Sequence, residues 1–476
     1  MMRTLIFCSY HEDSQTVELL YTDGTLIDID CLAVEDEAAR NMYERSELDY
    51  LLNRDPAGYA DLILNGDVEA YLRNVTDYQL FEPESTMWST MHFLTRFEDA
   101  DADRLCDAVN RALRQHPALS TAFFFDKERK LKQQYRPELL PEVTVEDVDP
   151  ETEDALADTL LRPFDRLLNA CLCKARVFRG RKGCYLFMDV HHVVMDGGSM
   201  CILLADIMNA YFGRPLQKDY YFAMLAEAEK RSEEGEYERD CAYFRECYGE
   251  MSDWCNNLEP DHENANIDQG HSRIYRLSFD AQQVHEAEEY WGVTLSVMAV
   301  AAGLMALSGF TGEKHVIVNW IFNNRLAPEA AGSVGMLIRN MPAAARMEEF
   351  TSVRELLHSV KDQVAGAIAH CSYDLMAEKL RAYLNDSMEV NLQLGFGGEE
   401  LNELKHEMIE LKDDYSAAGA RLELELLENE YGDGGFDSEL EYAEGLFDRE
   451  KIIAFHDLYI LIMETLMRKQ APDLNA

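Results

Sequence analysis

Positive charge is what this chain of 476 residues has least of: 44 Lys and Arg stand against 89 Asp and Glu, a formal net charge of −45. Long-range repulsion from nucleic acid and from anionic membranes follows from that imbalance, so neither is expected as a partner. Paired cysteines are missing too. The 11 cysteines are scattered singly, with no Cys-x-x-Cys spacing, which suits reduced thiols in a reducing compartment better than a disulfide framework. Cys171 and Cys173, the closest pair, read as the packed edge of a strand rather than a metal or redox site. No apolar stretch approaches the roughly 18 residues of a membrane span, and Met1 to Tyr10 lacks the basic flank, long apolar core and cleavage site of a signal peptide. A soluble, cytoplasmic protein is expected. Neither the Gly-x-Ser-x-Gly elbow of a serine hydrolase nor the His-Glu-x-x-His helix of a zinc peptidase occurs.

What is there is an ordinary globular composition, 47% apolar and 28% charged, in a chain long enough for two or three compact units. Three apolar runs over residues 4–8, 17–21 and 26–29, the last two joined across Asp23-Gly24, read as a β-meander followed by helices over 33–73, to which no chemistry is assigned. From about residue 78 helices and strands alternate. Leu105, Ala108, Val109, Ala112 and Leu113 carry the spacing of an amphipathic helix over 101–115, stopped by Pro117. A strand over 120–125 follows, then two apolar runs, 171–178 and 184–190, joined by a basic glycine-bearing turn. A buried helix begins after Gly198. Residues 216–265 read as an acidic, aromatic, helical crossover. Beyond it the pattern predicts a helix over 295–307, a strand over 315–322, a helix over 353–370, a strand over 388–396 and a last helix over 449–468. The charged stretch 399–414 reads as a solvated helix or loop. Two basic clusters, Lys127/Arg129/Lys130/Lys132 and Arg176/Arg179/Arg181/Lys182, are candidate docking patches and, on the blander reading, solvated hairpin tips.

Chemistry concentrates in Asp189-Val190-His191-His192-Val193-Val194-Met195-Asp196-Gly197-Gly198-Ser199-Met200, at the end of a strand and the start of a helix. Strand ends are where an α/β scaffold presents reactive groups. A neutral imidazole there can accept a proton from an amine or hydroxyl near pH 7. Asp196 and Gly197 suit the turn, and the following amides open a helix, where negative charge is favoured. Adjacent histidines on a strand point to opposite faces, which disfavours a shared zinc.

His191-His192-x-x-x-Asp196-Gly197 resembles the HHxxxDG motif of the condensation domains of nonribosomal peptide synthetases. Further segments resemble that family in order: 114–123 its RHxxLRTxF segment, 292–295 into 316–318 and Asn324-Arg325 its helix and strand ending in Gly-Arg, with Asn in place of the Gly. Residues 334–342 are similar to its IGMFVNTLP segment, Val390-Asn391-Leu392-Gln393 to its FNYQ strand, and Leu446-Phe447-Asp448 to its last motif. The family's opening motif is eroded to Tyr78-Gln79-Leu80 and Met87-Trp88-Ser89. The resemblance implies an α/β (α+β) fold of two chloramphenicol-acetyltransferase-like lobes forming a V around a central tunnel, residues 78–260 and 261–476, after a small N-terminal unit, 1–77, of unknown function. It implies an acyltransferase that moves an acyl group from a pantetheine thioester to an amine, forming an amide. The alternatives are an ester-forming O-acyltransferase and a non-catalytic module that recruits a carrier protein. By the same resemblance His192 is the catalytic base or amine-positioning group. His191 and Asp196 are structural, with Asp196 ion-paired to Arg325. Gly197 lets backbone approach the thioester carbonyl, and Asn391 positions substrate. No tightly bound cofactor or metal is implied; phosphopantetheine enters as a substrate arm. The donor is an acyl or peptidyl carrier protein or acyl-coenzyme A, because no adenylation or carrier segment is visible in the chain. Aspartates in place of the histidines, as in cyclising relatives, are absent, so heterocycle formation is not expected.

Overall fold

The computed structural model describes residues 5–11, 16–38, 48, 52, 56–65, 68, 90–126, 131–162, 164, 166–262, 270–372, 387–393, 401–409, 411, 422–428, 435–443 and 445–471. The eroded opening motif and Lys127, Arg129 and Lys130 lie outside them. The chain divides into two compact units, one of residues 1–86, 123–134 and 163–170 and the other of residues 87–122, 135–162 and 171–476.

In the smaller unit β1 (Leu5–His11), β2 (Thr16–Tyr21) and β3 (Leu26–Asp30) form the expected antiparallel meander. Gly24, at φ +81°, makes the tight turn that only a residue without Cβ adopts cheaply. Its amide donates to the Tyr21 carbonyl at 2.9 Å. Alternation puts Val17, Leu19 and Ile29 on one face, where they bury with Leu48, Leu52 and Tyr59 beside α1 (Cys31–Ala38) and α2 (Pro56–Asn65).

The larger unit begins with β4 (Thr90–Phe97) and α3 (Ala102–Gln115). Asp101 caps α3 by accepting from the Arg104 amide at 2.8 Å, and all five residues of the predicted stripe are buried. The chain then makes the ribbon strands β5 (Thr121–Phe125) and β6 (Leu131–Tyr135), most of whose residues belong to the smaller unit, and the larger unit continues with β7 (Val145–Asp147), the single turn α4 (Ala157–Leu160), β8 (Cys173–Arg179) and β9 (Cys184–His191). Next come α5 (Gly197–Tyr211), α6 (Tyr221–Glu233), α7 (Glu236–Tyr248), β10 (Gly270–Asp280), α8 (Ala281–Trp291), α9 (Leu295–Thr311), β11 (His315–Phe322), β12 (Arg339–Arg346), α10 (Val353–Ala369) and β13 (Glu389–Gln393). The chain ends with β14 (His406–Ile409), β15 (Glu423–Glu428), β16 (Gly435–Ala443) and α11 (Arg449–Met467). Among the described residues no single helix is long and apolar enough to cross a membrane.

Two sheets carry this unit, a five-stranded one in the order β14-β4-β9-β8-β7 and a six-stranded one in the order β10-β16-β15-β13-β11-β12. Every residue of β9 is buried, which fits a central strand covered on both faces. The core of the second sheet is filled by α9, buried from Leu295 through Ser308 apart from Ser296, with α10 and α11 beside it. Two readings of the sequence change. Residues 406–409, inside the stretch expected to be a solvated helix or loop, are an edge strand: β14 pairs antiparallel with β4, Glu407 opposite Arg96, so a distant segment completes the first sheet. Cys241, Phe244, Tyr248 and Leu258, inside the expected crossover, belong to the core of the second sheet. The basic hairpin tip is exposed, as a solvated tip would be, and much of its charge is paired. Arg176 forms a two-pronged pair with Glu146 at 2.6 and 2.8 Å, Arg179 meets Asp103 at 2.7 Å and Asp147 at 3.2 Å, and Lys182 pairs with Asp154.

Candidate active site at the end of strand β9

Strand β9 stops at His191 because the chain turns there. The Val193 amide donates to His191 Nδ1 at 3.1 Å and closes a single 3-10 turn over His192–Val194. That bond requires an unprotonated Nδ1, so His191 is neutral with its proton on Nε2. Burial, and then neighbouring His192, push its pKa down to about 4. His191 thus anchors the turn as an uncharged group at neutral pH.

His192 is only half-buried, unlike its neighbour. Burial lowers its pKa, while the Asp196 carboxylate and a backbone contact with Met195 oppose that shift. The imidazole is therefore neutral at pH 7 and able to accept a proton.

Asp196 terminates the turn and caps α5, its Oδ1 accepting from the Ser199 amide and hydroxyl, both at 2.8 Å. It is fully buried and meets Arg325 Nη2 at 2.6 Å. The second carboxylate oxygen accepts from the Leu337 amide at 2.8 Å. Arg325, just past the end of β11, also donates from Nη1 to the carbonyls of Ala330 and Ser333 at 2.8 and 2.9 Å, and from Nη2 to Ser199 Oγ at 2.7 Å. Ser199 Oγ in turn accepts from the Gly335 amide at 2.9 Å and lies 2.8 Å from the Gly335 carbonyl. One buried node thus joins the N-terminus of α5, the end of β11 and residues 330–337. Its charge is compensated, and both carboxylate oxygens and both terminal guanidinium nitrogens are bonded, leaving Arg325 Nε as the one buried polar atom of the node without a hydrogen bond among the described residues; such pairing is the condition under which a buried ion pair is tolerated.

Two further residues matter here: Gly198, to which the sequence assigns no role, and Asn324, notable in the sequence only as standing in place of the family's Gly. At Gly198 a Cβ would come within 2.6 Å of Arg325 Nε, so it is this glycine, next to the expected Gly197, that makes room for the guanidinium. Asn324 has φ +52°; asparagine is among the few residues that adopt the left-handed region without large strain, which accounts for its standing where the resembling family has Gly.

Asn391 is placed differently from the other candidates. It lies on β13, where its Nδ2 donates to Glu425 Oε1 at 2.8 Å; Gln393 donates to the same oxygen. Across β15 and β16, Glu425 stands opposite Glu439 and Glu423 opposite Glu441. Burial, and then Glu439 and Glu441, push Glu425 up to about 7 against the two amides. A carboxyl whose folded pKa lies above its unfolded value of about 4.3 makes the fold less stable as pH rises between the two. Glu425→Gln keeps a carbonyl for both amides and removes the repulsion. It is expected to raise unfolding free energy by about 1–3 kcal/mol at pH 8 and by little at pH 5, as read from urea unfolding at the two pH values.

The chain and its fold match a known family. The family model described as Condensation domain matches residues 76–474, and a family of unknown function matches residues 2–82. The chain belongs to the condensation-domain family. Tyrocidine synthase 2 of Brevibacillus parabrevis is 23% identical over 399 residues, 80% of this chain; the chain spans 11% of that synthase's length. Among solved structures, the X-domain from teicoplanin biosynthesis is similar, with TM-score 0.67 and 20% identity, 84% of this chain and 95% of that one being covered; it is also known in a complex with OxyB. The first condensation domain of the calcium-dependent antibiotic synthetase, in complex with a substrate analogue, aligns with TM-score 0.63 and 17% identity over 84% of this chain and 96% of that one.

Proposed function

We propose that this chain transfers an acyl group from a pantetheine thioester, borne by a carrier protein, to an amine, with His192 at the reacting nitrogen. The observation that carries this reading is a neutral, half-buried imidazole at a strand end, on a turn held by the Asp196–Arg325 pair. In the reaction the amine nitrogen bonds to the thioester carbonyl carbon and the carbon–sulfur bond breaks. His192 takes the proton lost by the amine and returns it to the departing thiolate, so that amide and thiol are the products. Negative charge on the carbonyl oxygen is favoured by the amides that open α5 at Gly197 and Gly198. His191, Asp196 and Arg325 hold these groups in place, and Asn391 orients substrate from β13. Most of the acceleration comes from positioning the two substrates.

The direct test is acyl transfer from carrier-bound and coenzyme A thioesters to mixed amines and alcohols, followed by mass spectrometry of the products. An amide formed from a carrier-bound donor supports the reading; esters alone would move it to an O-acyltransferase. A second reading, a module that recruits a partner without catalysis, is favoured by the similarity to the X-domain, which forms a complex with OxyB. It predicts partner binding with no product from any donor.

A further inference from the structure

We infer that His116, held as an imidazolium between Asp206 and Asp219, is a positioning residue that fixes residues 333–337 against the Asp196–Arg325 node. This deepens the acyl-transfer reading and rests on it for the reaction, though not for the structural coupling.

The argument starts from hydrogen-bond chemistry. His116 lies at the end of α3 and is completely buried. Its Nδ1 is 2.7 Å from Asp219 Oδ2 and its Nε2 is 3.2 Å from Asp206 Oδ2. An ionised carboxylate only accepts, so two ring nitrogens that each face one must both carry protons. A neutral imidazole would turn a lone pair toward one of the two carboxylates. Burial works against the charged ring, but the hydrogen bonds it donates to Asp206 and Asp219 outweigh that and the net pKa is raised. Cations close in sequence to His116, Asp206 and Asp219 have other partners: Arg111 the Ala210 carbonyl, Arg114 Glu142, Arg214 Glu403, and Lys218 the Tyr220 ring. Asp206 and Asp219 are the charged groups that face the imidazole.

Each aspartate then passes the constraint on. Asp206, on α5, accepts from the Gln217 amide at 3.0 Å and so ties down the connection leading to α6. Asp219 accepts from the Tyr221 amide at 2.7 Å and, through the same oxygen that meets His116, from the Val334 amide at 3.0 Å. The Tyr220 amide donates to Ser333 Oγ at 2.8 Å. Residues 333–337 are therefore gripped from two sides, by Asp219 and Tyr220 here and by Ser199, Asp196 and Arg325 at the node. Both grips root in one rigid element, because Asp196 caps α5 and Asp206 lies within it. Packing leaves little slack: a Cβ at Gly335 would come within 2.5 Å of the Tyr221 ring. Loss of the imidazolium proton leaves Asp219 without its cation, and the contact to Val334 loosens with it.

The sign of the pH dependence follows. A histidine pKa raised by folding contributes stability that is fully present below about 6.5, and that contribution is lost as pH rises through the folded value. Two readouts on the whole chain test this without any substrate. Nitrogen NMR of histidine-labelled protein should show both His116 ring nitrogens protonated at pH 7. Amide exchange of Val334, Gly335 and Leu337 should lose protection as pH rises through the His116 titration, beyond the trend of core amides in α9. In His116→Gln the same amides should lose protection already at pH 7. Asp206→Asn can donate to a neutral Nε2 while still accepting from Gln217, and should abolish the pH dependence while keeping the fold. For the reaction, His116→Gln should lower kcat roughly ten- to a hundredfold with the donor KM little changed. A neutral His116 at pH 7, unchanged protection in His116→Gln, or lost protection with full kcat would each overturn the inference. Failure of acyl transfer itself leaves the exchange and NMR results standing on their own.

Discussion

His192→Ala is expected to lower kcat for acyl transfer by about 10²- to 10⁴-fold, the range contributed by a positioned general base, while thermal stability and carrier binding stay close to wild type. The side chain is half-buried at the end of β9 and takes no part in the node around Asp196, so its removal takes away a proton acceptor without opening the fold. Its pKa lies below the ordinary histidine value. Wild-type activity should therefore fall only as pH drops below about 6.5, and His192→Ala should lose that acid limb. His191→Ala is the informative contrast. It removes the acceptor for the Val193 amide and empties a buried site, so the loss should appear chiefly as instability. Steady-state rates with a thioester donor, paired with denaturant unfolding of both variants, separate the two roles. Full activity in a folded His192→Ala protein would end the catalytic reading and favour the partner-recruiting one.

Arg325→Ala is expected to cost about 3–5 kcal/mol of stability, the cost of leaving one member of a buried pair behind, and to abolish transfer as well. The guanidinium meets the fully buried Asp196 and also holds the carbonyls of Ala330 and Ser333. Removing it leaves a desolvated carboxylate with only neutral donors, from Ser199 and Leu337, and frees the segment that those carbonyls anchor. Arg325→Lys should rescue only in part, because a single ammonium cannot span Asp196 on one side and the two carbonyls on the other. A double-mutant cycle of Asp196→Ala and Arg325→Ala, measured by guanidinium unfolding, should show strong coupling; additive losses would show that the pair is not a unit.

How far the sequence could be read depended on the range over which each feature is encoded. Helix α3 follows from side-chain periodicity and strand β11 from a continuous apolar run, and β11 falls on the predicted residues. The strands β15 and β16 were missed although Glu423 to Glu428 alternates apolar and acidic residues at its start. Glutamate is a poor strand former, so a segment this rich in carboxylates carries a weak strand signal until the sheet pairs it. Strand β14 was missed because four residues show no period and gain their structure from β4, more than 300 positions earlier.

The same division runs through the site. By itself the sequence determined that the strand before His191 runs into a turn, that a helix follows Asp196, and that the histidine pair resembles the reaction centre of condensation domains, since each depends on neighbours a few residues apart. Only the tertiary structure decided that Gly198 is the glycine giving Arg325 its room, that Asn391 bonds Glu425, and that His116 sits between Asp206 and Asp219. Those contacts join residues 34 to 127 positions apart. Local sequence sets backbone conformation and the face a side chain occupies. Which charge meets which, and hence where a proton resides, is set by chain closure and by the loss of water around groups the fold brings together.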